Sequence, residues 1–414
     1  MDYNSNFYSF ESPYWKEKLL YWAESNFPFF AWTTGNAHSY RHGTFGDFLF
    51  LGKEKLTEDE LWNEASWKVG ILGYDLKNEI EDLTSQNPAF FPQPDFCFFS
   101  PQWILTIHEE GISSSIPIPE NWIKEIEEQK IPEGSIVSCK ISPQLSKEEY
   151  LKKVTSIQQQ IIEGNTYEAN FCQAYSGEFE TWDAIQAFLR LNQLSKMPFA
   201  ALFKAESTWL VSASPERFLK KSGNRLIAQP IKGTISRQGD PVEDQMNKEL
   251  LLTSEKERAE NLMITDLMRN DLAKVSQTGS VEVEELFGIY ALPRVFQMIS
   301  TVSSELVPNT SFKEIIKATF PMGSMTGAPK ISTMEILDRE ESFKRGWFSG
   351  AFGWMDDQGD FDFSVVIRSV IADLNVKKLY FGVGSAITID ASASHEYDEC
   401  QLKAQAIFEL LRGN

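Results

Sequence analysis

Hydrophobic and polar positions repeat along this chain with two periods. Alternation with a period of two predicts strands, and the N-terminal part, which is rich in Trp, Phe and Tyr, shows it at residues 45–51 and 95–100. A period of 3.6 predicts a helix from about Lys147 to Glu163 that Gly164 ends. Its apolar face is predicted to consist of Tyr150, Val154, Ile157 and Ile161.

The second half of the chain continues this mixture. We predict strands at 167–174 and 224–229, a helix over 241–273 that is interrupted near Ser254, and a last helix from an N-cap at Ser394 to Leu411. Without regular βαβ alternation, the order of elements favours an α/β or α+β unit over a doubly wound sheet. A polar stretch around 124–134 predicts a seam between an N-terminal region, 1–138, and a larger region, 139–414.

Composition limits the possible partners and location. The chain has 414 residues, 42 % of them hydrophobic, and no apolar run of about 20 residues, so we expect a cytoplasmic protein rather than a membrane protein. A formal net charge of −20 argues against nucleic acid and anionic membranes as partners. The cysteines lack metal-ligand spacing and are predicted to be free thiols: Cys97, Cys139, Cys172 and Cys400.

Lys232 is the residue whose setting most strongly indicates chemistry. It follows a predicted strand and a Pro-Ile pair, and Gly233 would let the chain turn so that the amine is presented at a sheet edge. Burial would favour the neutral amine, which is the nucleophilic form. The alternative is an ordinary surface charge beside a turn.

Two other patterns leave a functional and a structural interpretation open. Glu396, Glu399 and Lys403 stand at i, i+3 and i+7, so they share one helical stripe, and the two carboxylates could form a hard-oxygen metal site. The alternative is a solvated face with an intrahelical Glu399–Lys403 pair. Arg368, in a predicted strand at 363–370, needs either a ligand carboxylate or a structural ion pair.

An ordered set of motifs carries a family resemblance. The motifs are SPERF (214–218), PIKGT (230–234), RAENLMITDLMRND (258–271), FPMGSMTGAPK (320–330), GAFGW (350–354), VIRS (366–369), GVGSA (382–386) and EYDECQLK (396–403). Over residues 140–412 the chain resembles the chorismate-utilising enzymes, which include anthranilate synthase component I, aminodeoxychorismate synthase component I, isochorismate synthase and salicylate synthase. The resemblance implies two large, mostly antiparallel sheets packed together, helices outside, and an active site between the sheets.

The resemblance also implies a set of site residues. It implies Mg²⁺ bound by Glu260, Glu396 and Glu399, and Glu216 as the general acid that protonates the departing C4 hydroxyl, although an exposed turn acid is the alternative for Glu216. The substrate-binding groups it implies are Arg368 for the enolpyruvyl carboxylate, Lys403, the loop at Thr326 and Gly327, and a small-residue turn that includes Gly384 and Ser385. For Thr326 and Gly327, an ordinary junction between a loop and a helix is an equally good account.

Two positions depart from the family pattern. Gln297 stands where the family usually has histidine, which affects acid–base assistance at that point. Ala386 replaces the last glycine of the small-residue turn, where its Cβ could crowd a carboxylate or forbid a positive φ.

The identity of two residues selects among the family's reactions. Relatives that add water at C2 carry a lysine in the strand that matches 167–170, where this chain has Glu168. Anthranilate synthases have alanine at the position of Lys232, whereas members that aminate C4 have lysine there to attack C2 first. The resemblance therefore implies conversion of chorismate and ammonia to 4-amino-4-deoxychorismate.

The source of ammonia is predicted to be a partner. No cysteine is followed by the small-residue turn that a glutaminase nucleophile uses, so a separate glutamine amidotransferase subunit is expected to supply ammonia. Two alternatives stay open: anthranilate synthase component I, and a chorismate-binding regulatory or scaffold subunit without turnover.

Overall fold

The structure is a computed structural model that describes residues 6–63, 65–134 and 136–412. In this part of the chain no helix is long and apolar enough to cross a membrane.

The strands, in chain order, are β1 (Asn6–Ser9), β2 (Phe29–Thr34), β3 (Phe48–Gly52), β4 (Lys68–Leu72), β5 (Phe96–Phe99), β6 (Trp103–Ile107), β7 (Gly111–Ser114), β8 (Lys140–Pro143), β9 (Glu168–Glu178), β10 (Phe199–Ala205), β11 (Thr208–Ser214), β12 (Arg217–Ser222), β13 (Arg225–Gln229), β14 (Ile231–Ser236), β15 (Glu282–Ala291), β16 (Val295–Glu305), β17 (Gly327–Ala328), β18 (Ala351–Met355), β19 (Phe361–Val365), β20 (Ser369–Asp373) and β21 (Lys378–Ile387).

The α-helices are α1 (Trp15–Asn26), α2 (Glu58–Asn63), α3 (Lys77–Ile80), α4 (Asn121–Glu128), α5 (Lys147–Ile162), α6 (Ala184–Leu194), α7 (Pro241–Thr253), α8 (Glu255–Ala273), α9 (Phe312–Thr319), α10 (Lys330–Glu340) and α11 (Ala393–Leu411). Short 3₁₀ helices cover Tyr74–Leu76 and Gly323–Met325.

The strands form two large antiparallel sheets, which confirms the predicted fold class. The first sheet has the order β1-β7-β6-β3-β2-β10-β11-β20-β21-β9-β17, with β8 paired to β9. The second has the order β14-β16-β13-β12-β19-β18-β4-β5, with β15 paired to β16. Apolar side chains from Trp15 to Leu411 form the main buried core, because each sheet needs a covered apolar face, and Leu251, Phe296 and Met298 form a second, small cluster.

The two predicted regions contribute to the same sheets. Strands from 1–138 include β1, β2, β3, β6 and β7 of the first sheet and β4 and β5 of the second. The boundary at residue 138 stays a prediction. Hydrogen bonds between strands join both regions into the same two sheets.

Helix ends follow local capping chemistry. Ser146 caps α5 in a capping box with Glu149, and the predicted break is confirmed, since Ser254 follows α7 and its side chain caps α8. The predicted N-cap of the last helix is wrong by two residues: Ser392 precedes α11, and its side chain makes no capping hydrogen bond. Ser394 lies within the first turn of α11.

Two adjacent chain crossings join the sheets. The link from β11 to β12 contains Glu216, and the link from β19 to β20 contains Arg368. Backbone hydrogen bonds hold the crossings side by side, from Val365 N to Glu216 O at 3.0 Å and from Ala213 N to Arg368 O at 3.2 Å. The prediction that Arg368 lies within a strand is wrong, because the chain changes sheets there and Arg368 has a φ of 52°.

Candidate active site between the two sheets

A cavity opens where the crossings meet α8 and α11. A cavity with a few convergent polar groups is typical of a small-molecule site. The sequence-predicted residues that line it are Glu216, Lys232, Glu260, Gln297, Arg368, Gly384, Glu396, Glu399 and Lys403. Thr326, Gly327 and Ser385 are absent from this lining.

Lys232 is buried in the cavity wall, so the surface-charge interpretation is wrong. It lies in β14, an edge strand as predicted, but Gly233 forms part of a bulge rather than a turn, because the register with β16 shifts between Ile231 and Thr234. Gly233 has a φ of 94°, and a Cβ there would lie 3.1 Å from Glu257 Oε2. The positive φ of the bulge therefore favours glycine at this position.

The charge state of Lys232 differs from the expectation of a neutral amine. Burial alone lowers the pKa of the ammonium, but the charges of Glu168 and Glu260 and the hydrogen bond to Glu168 outweigh burial and raise the pKa above its ordinary value. Lys232 Nζ lies 2.8 Å from Glu168 Oε1. The expectation is wrong for the free protein because Glu168 supplies a buried counter-ion.

Glu216 is a buried carboxyl rather than an exposed turn acid. Its relative exposure is 4 %, and Ile231 N donates to its Oε1 at 3.4 Å. Burial raises its pKa to about 7. A carboxyl with such a pKa can hold a proton and release it near neutral pH, as a general acid does.

Arg368 is a partly buried cation with no ion-pair partner within the described ranges. Its backbone carbonyl accepts from Ala213, and its side chain faces the cavity. The structural ion pair considered above is therefore absent from this part of the chain. An unpaired guanidinium at a cavity wall suits a ligand carboxylate.

Two of the three predicted metal ligands, Glu260 and Glu396, pair with Lys256, whereas Glu399 pairs with Lys403. Lys256 Nζ lies 3.0 Å from Glu396 Oε1 and 3.8 Å from Glu260 Oε1. Glu260 Oε1 is buried and has no hydrogen-bond partner within the described residues, and burial raises the pKa of Glu260 to about 7. Carboxylate oxygens that converge on one ammonium are a donor set that also suits a hard divalent cation.

Glu399 and Lys403 form the intrahelical pair that the sequence left open. Lys403 Nζ lies 2.7 Å from Glu399 Oε1 and donates to Gly384 O at 3.0 Å. The stripe nevertheless faces the cavity, since all its members line the cavity and Glu396 is only 1 % exposed. A ring nitrogen of His395 and one carboxylate oxygen each of Glu396 and Glu399 lie within 4.8 Å of one another.

The predicted turn at 382–386 is wrong, because these residues lie within β21 and pair with β9. Gly384 is needed for space, since a Cβ would lie 2.6 Å from Asn170 Nδ2. The side chain of Ser385 points to Tyr150, whose Oη lies 2.8 Å from Ser385 Oγ. Ala386 has no positive φ, so the conformational objection to a side chain there disappears.

The predicted loop residues Thr326 and Gly327 lie next to the cavity but do not line it. Thr326 Oγ1 donates to Met322 O at 3.2 Å, and Gly327 pairs with Ala169 of β9. Ser324 and Met325, two residues earlier, reach the cavity instead. Here the ordinary structural account fits Thr326 and Gly327.

Gln297 is buried in β16 opposite Thr234, and its Oε1 has no hydrogen-bond partner within the described residues. A buried, unsatisfied acceptor in a cavity wall is costly in the free protein. A ligand that donates a hydrogen bond would remove this cost.

The sequence analysis assigned no site role to several groups in or beside the cavity. Asn170 of β9 and Glu257 of α8 line the cavity, and Glu168 and Lys256 contact residues that do. Periodicity could have found them: Glu168 and Asn170 are two apart on one strand face, and Lys256 and Glu260 are four apart on one helix face. In β9, polar residues within an otherwise apolar strand are the pattern that could have indicated a functional site.

Comparison with known proteins identifies related chains. Residues 23–409 match the chorismate binding enzyme family. The chain is 34 % identical to aminodeoxychorismate synthase component 1 of Klebsiella aerogenes over 83 % of this chain and 76 % of the relative. It is 35 % identical to the chloroplastic aminodeoxychorismate synthase of Arabidopsis thaliana, over 85 % of this chain and 41 % of the relative.

Solved structures share the fold. Anthranilate synthase component I from Streptococcus pneumoniae superposes with a TM-score of 0.71 at 22 % identity, covering 98 % of this chain and 90 % of that chain. The isochorismate synthase MenF from Escherichia coli superposes with a TM-score of 0.77 at 15 % identity, covering 98 % and 94 %. At these identities the likeness concerns the arrangement of the sheets and helices.

Proposed function

Because the chain belongs to the family of chorismate binding enzymes, we propose that it aminates chorismate at C4 to form 4-amino-4-deoxychorismate. The observation that carries the proposal is the placement of Lys232 in a cavity that also holds the acid Glu216 and the unpaired cation Arg368. The names of the bacterial and plant relatives support the same reaction.

The reaction has two displacement steps. Neutral Lys232 Nζ bonds to C2 of the ring while the C4–O bond breaks, and Glu216 gives its proton to the departing hydroxyl, which leaves as water. Ammonia then bonds to C4, the C2–N bond to Lys232 breaks, and a proton from the new ammonium group returns to Glu216. Arg368 fixes the ring by holding a substrate carboxylate.

A divalent cation fits the acidic side of the cavity. We propose that Glu260, Glu396 and Glu399 hold Mg²⁺ in place of the Lys256 ammonium, which pairs with Glu260 and Glu396. When bound, Mg²⁺ would supply positive charge for a substrate carboxylate in a protein whose net charge of −20 repels a dicarboxylate.

Glu399→Gln is expected to weaken Mg²⁺ binding by about 10- to 100-fold while leaving the fold intact, because an amide of the same shape replaces one anionic ligand. Calorimetric titration with Mg²⁺ measures the binding directly, and the Mg²⁺ dependence of turnover provides a second readout. Glu409→Gln is the matched control, since Glu409 lies on the same helix and pairs with Arg294. Unchanged Mg²⁺ affinity in Glu399→Gln would remove Glu399 from the site.

Ammonia is proposed to come from a separate glutamine amidotransferase. A glutaminase cysteine needs a readily formed thiolate, but burial raises the pKa of Cys97, Cys139, Cys172 and Cys400. The name "component 1" of the bacterial relatives is consistent with a second subunit.

The test supplies the purified chain with chorismate, Mg²⁺ and one nitrogen source at a time. Ammonium at alkaline pH, where free ammonia is present, is expected to yield 4-amino-4-deoxychorismate, whereas glutamine alone yields none. Product mass and fluorescence distinguish the outcomes. Pyruvate with fluorescent anthranilate would identify an anthranilate synthase, and binding without conversion would identify a regulatory subunit. Turnover of glutamine by the single chain would contradict the two-subunit proposal.

A further inference from the structure

The backbone of Glu168 is fixed from both sides. Glu168 begins β9 and pairs with Ala328 of β17. Its carbonyl accepts from Thr166 Oγ1 at 3.0 Å, and a Cβ on Gly327 would lie 2.1 Å from the same oxygen. Such close approach is possible only with glycine at 327, so the loop around Thr326 and Gly327 packs directly against the start of β9.

The side chain of Glu168 is directed at one atom. Its residue is 0 % exposed, Oε1 lies 2.8 Å from Lys232 Nζ, and Oε2 is buried with no hydrogen-bond partner within the described part of the chain. A buried oxygen without a hydrogen-bond partner has lost its hydration without compensation. Transfer of a proton from Lys232 would replace two buried charges by two neutral groups.

Other charged groups also face the Lys232 ammonium. Interacting carboxylates on the crossing, α8 and α11 are Glu216, Glu257, Glu260 and Glu399. Lys256 and Lys403 supply opposing positive charge beside the carboxylates of α8 and α11. Among the described residues, Glu168 alone lies within hydrogen-bonding distance of Nζ, so it is the group that can take a proton directly.

We propose that Glu168 is the proton acceptor that converts Lys232 to its nucleophilic form. This inference rests on the proposed function. One N–H bond of the ammonium breaks as the Oε1–H bond forms, which leaves a lone pair on Nζ for C2 and a neutral carboxylic acid behind it. When ammonia displaces the lysine from the ring, the proton returns from Glu168 to Nζ, so the pair is restored after each turnover.

The test measures formation of the Lys232 adduct with chorismate and Mg²⁺ in the absence of ammonia, by rapid quench and peptide mass. Glu168→Gln keeps the shape and a hydrogen-bond acceptor but cannot take the proton. At each pH the rate for Glu168→Gln is divided by the rate for the unaltered protein, because the ratio cancels the ionisation of Glu216 that both share. The expected ratio is about 0.01 or less near pH 7 and rises by up to about tenfold per pH unit, as solvent takes over deprotonation.

Two further variants separate chemistry from structure. Glu178→Gln, at the exposed far end of β9 where Glu178 pairs with Lys378, should keep a ratio of about one. Glu168→Asp retains a proton acceptor on a shorter side chain, so it should react more slowly with a ratio that does not change with pH. Chorismate binding, measured by fluorescence quenching, should be similar in all variants.

Different results overturn different statements. A ratio in Glu168→Gln that is constant with pH would mean that Glu168 is only a counter-ion, and an alkaline-rising ratio in Glu168→Asp would also contradict the proposal. If the unaltered protein forms no Lys232 adduct at any pH, the proposed function fails and this inference fails with it.

Discussion

In Lys232→Ala the rate of 4-amino-4-deoxychorismate formation is expected to fall by at least about a thousandfold. The variant lacks the nucleophile that adds to C2 and expels the C4 hydroxyl before ammonia attacks C4. The cavity keeps Glu216, Arg368 and the acidic cluster, so chorismate should still bind. Free ammonia can then reach C2 directly, and the residual activity should shift toward the 2-amino product and anthranilate. Separation of products by mass and fluorescence measures the shift.

Stability has to be measured beside the products. Removing Lys232 leaves Glu168 buried without its partner, which costs about 3 to 5 kcal/mol for a broken buried pair unless Glu168 takes up a proton. Lys232→Ala combined with Glu168→Gln avoids the stranded carboxylate and should show the same product shift. Lys221→Ala is the control, since Lys221 lies in the same sheet and pairs with Asp360. Full 4-amino activity in Lys232→Ala would make Lys232 a structural lysine.

Glu216→Gln is expected to lower kcat/KM for chorismate by about 10²- to 10⁴-fold, because an amide cannot protonate the departing C4 hydroxyl. In the unaltered protein the protonated acid is the active form. Since the pKa of Glu216 is about 7, kcat/KM measured at saturating Mg²⁺ should fall as pH rises through that value. In Glu216→Gln this alkaline decline should disappear.

The pH series needs a constant concentration of free ammonia, because the ammonium–ammonia equilibrium also changes with pH. The total ammonium concentration is therefore adjusted at each pH, and kcat/KM is measured for chorismate, which reports ionisations of the free enzyme. Glu305→Gln, at the exposed end of β16, is the control for charge removal. An alkaline decline that persists in Glu216→Gln would assign it to another group.

Local patterns predicted most of the secondary structure near the site. The periodicity of α5, the break at Ser254 and the strand before Lys232 are confirmed, because capping and periodicity depend on neighbouring residues in the chain. The small-residue segment at 382–386 is a strand despite its glycines, since pairing with β9 and close packing against Phe348 and Asn170 decide its conformation.

The sequence by itself determined the family, the class of fold and the residue types available for chemistry, since motif order and periodicity are properties of the chain. Only the tertiary structure decided which of those residues meet and in which charge state. Arg368 faces the cavity because the chain crosses between sheets there, and Ser385 turns away to Tyr150. The pKa of Lys232 is raised because β9, 64 residues earlier in the chain, brings Glu168 within 2.8 Å of it. Burial and pairing act through space, so the charge of such a group follows from its folded neighbours.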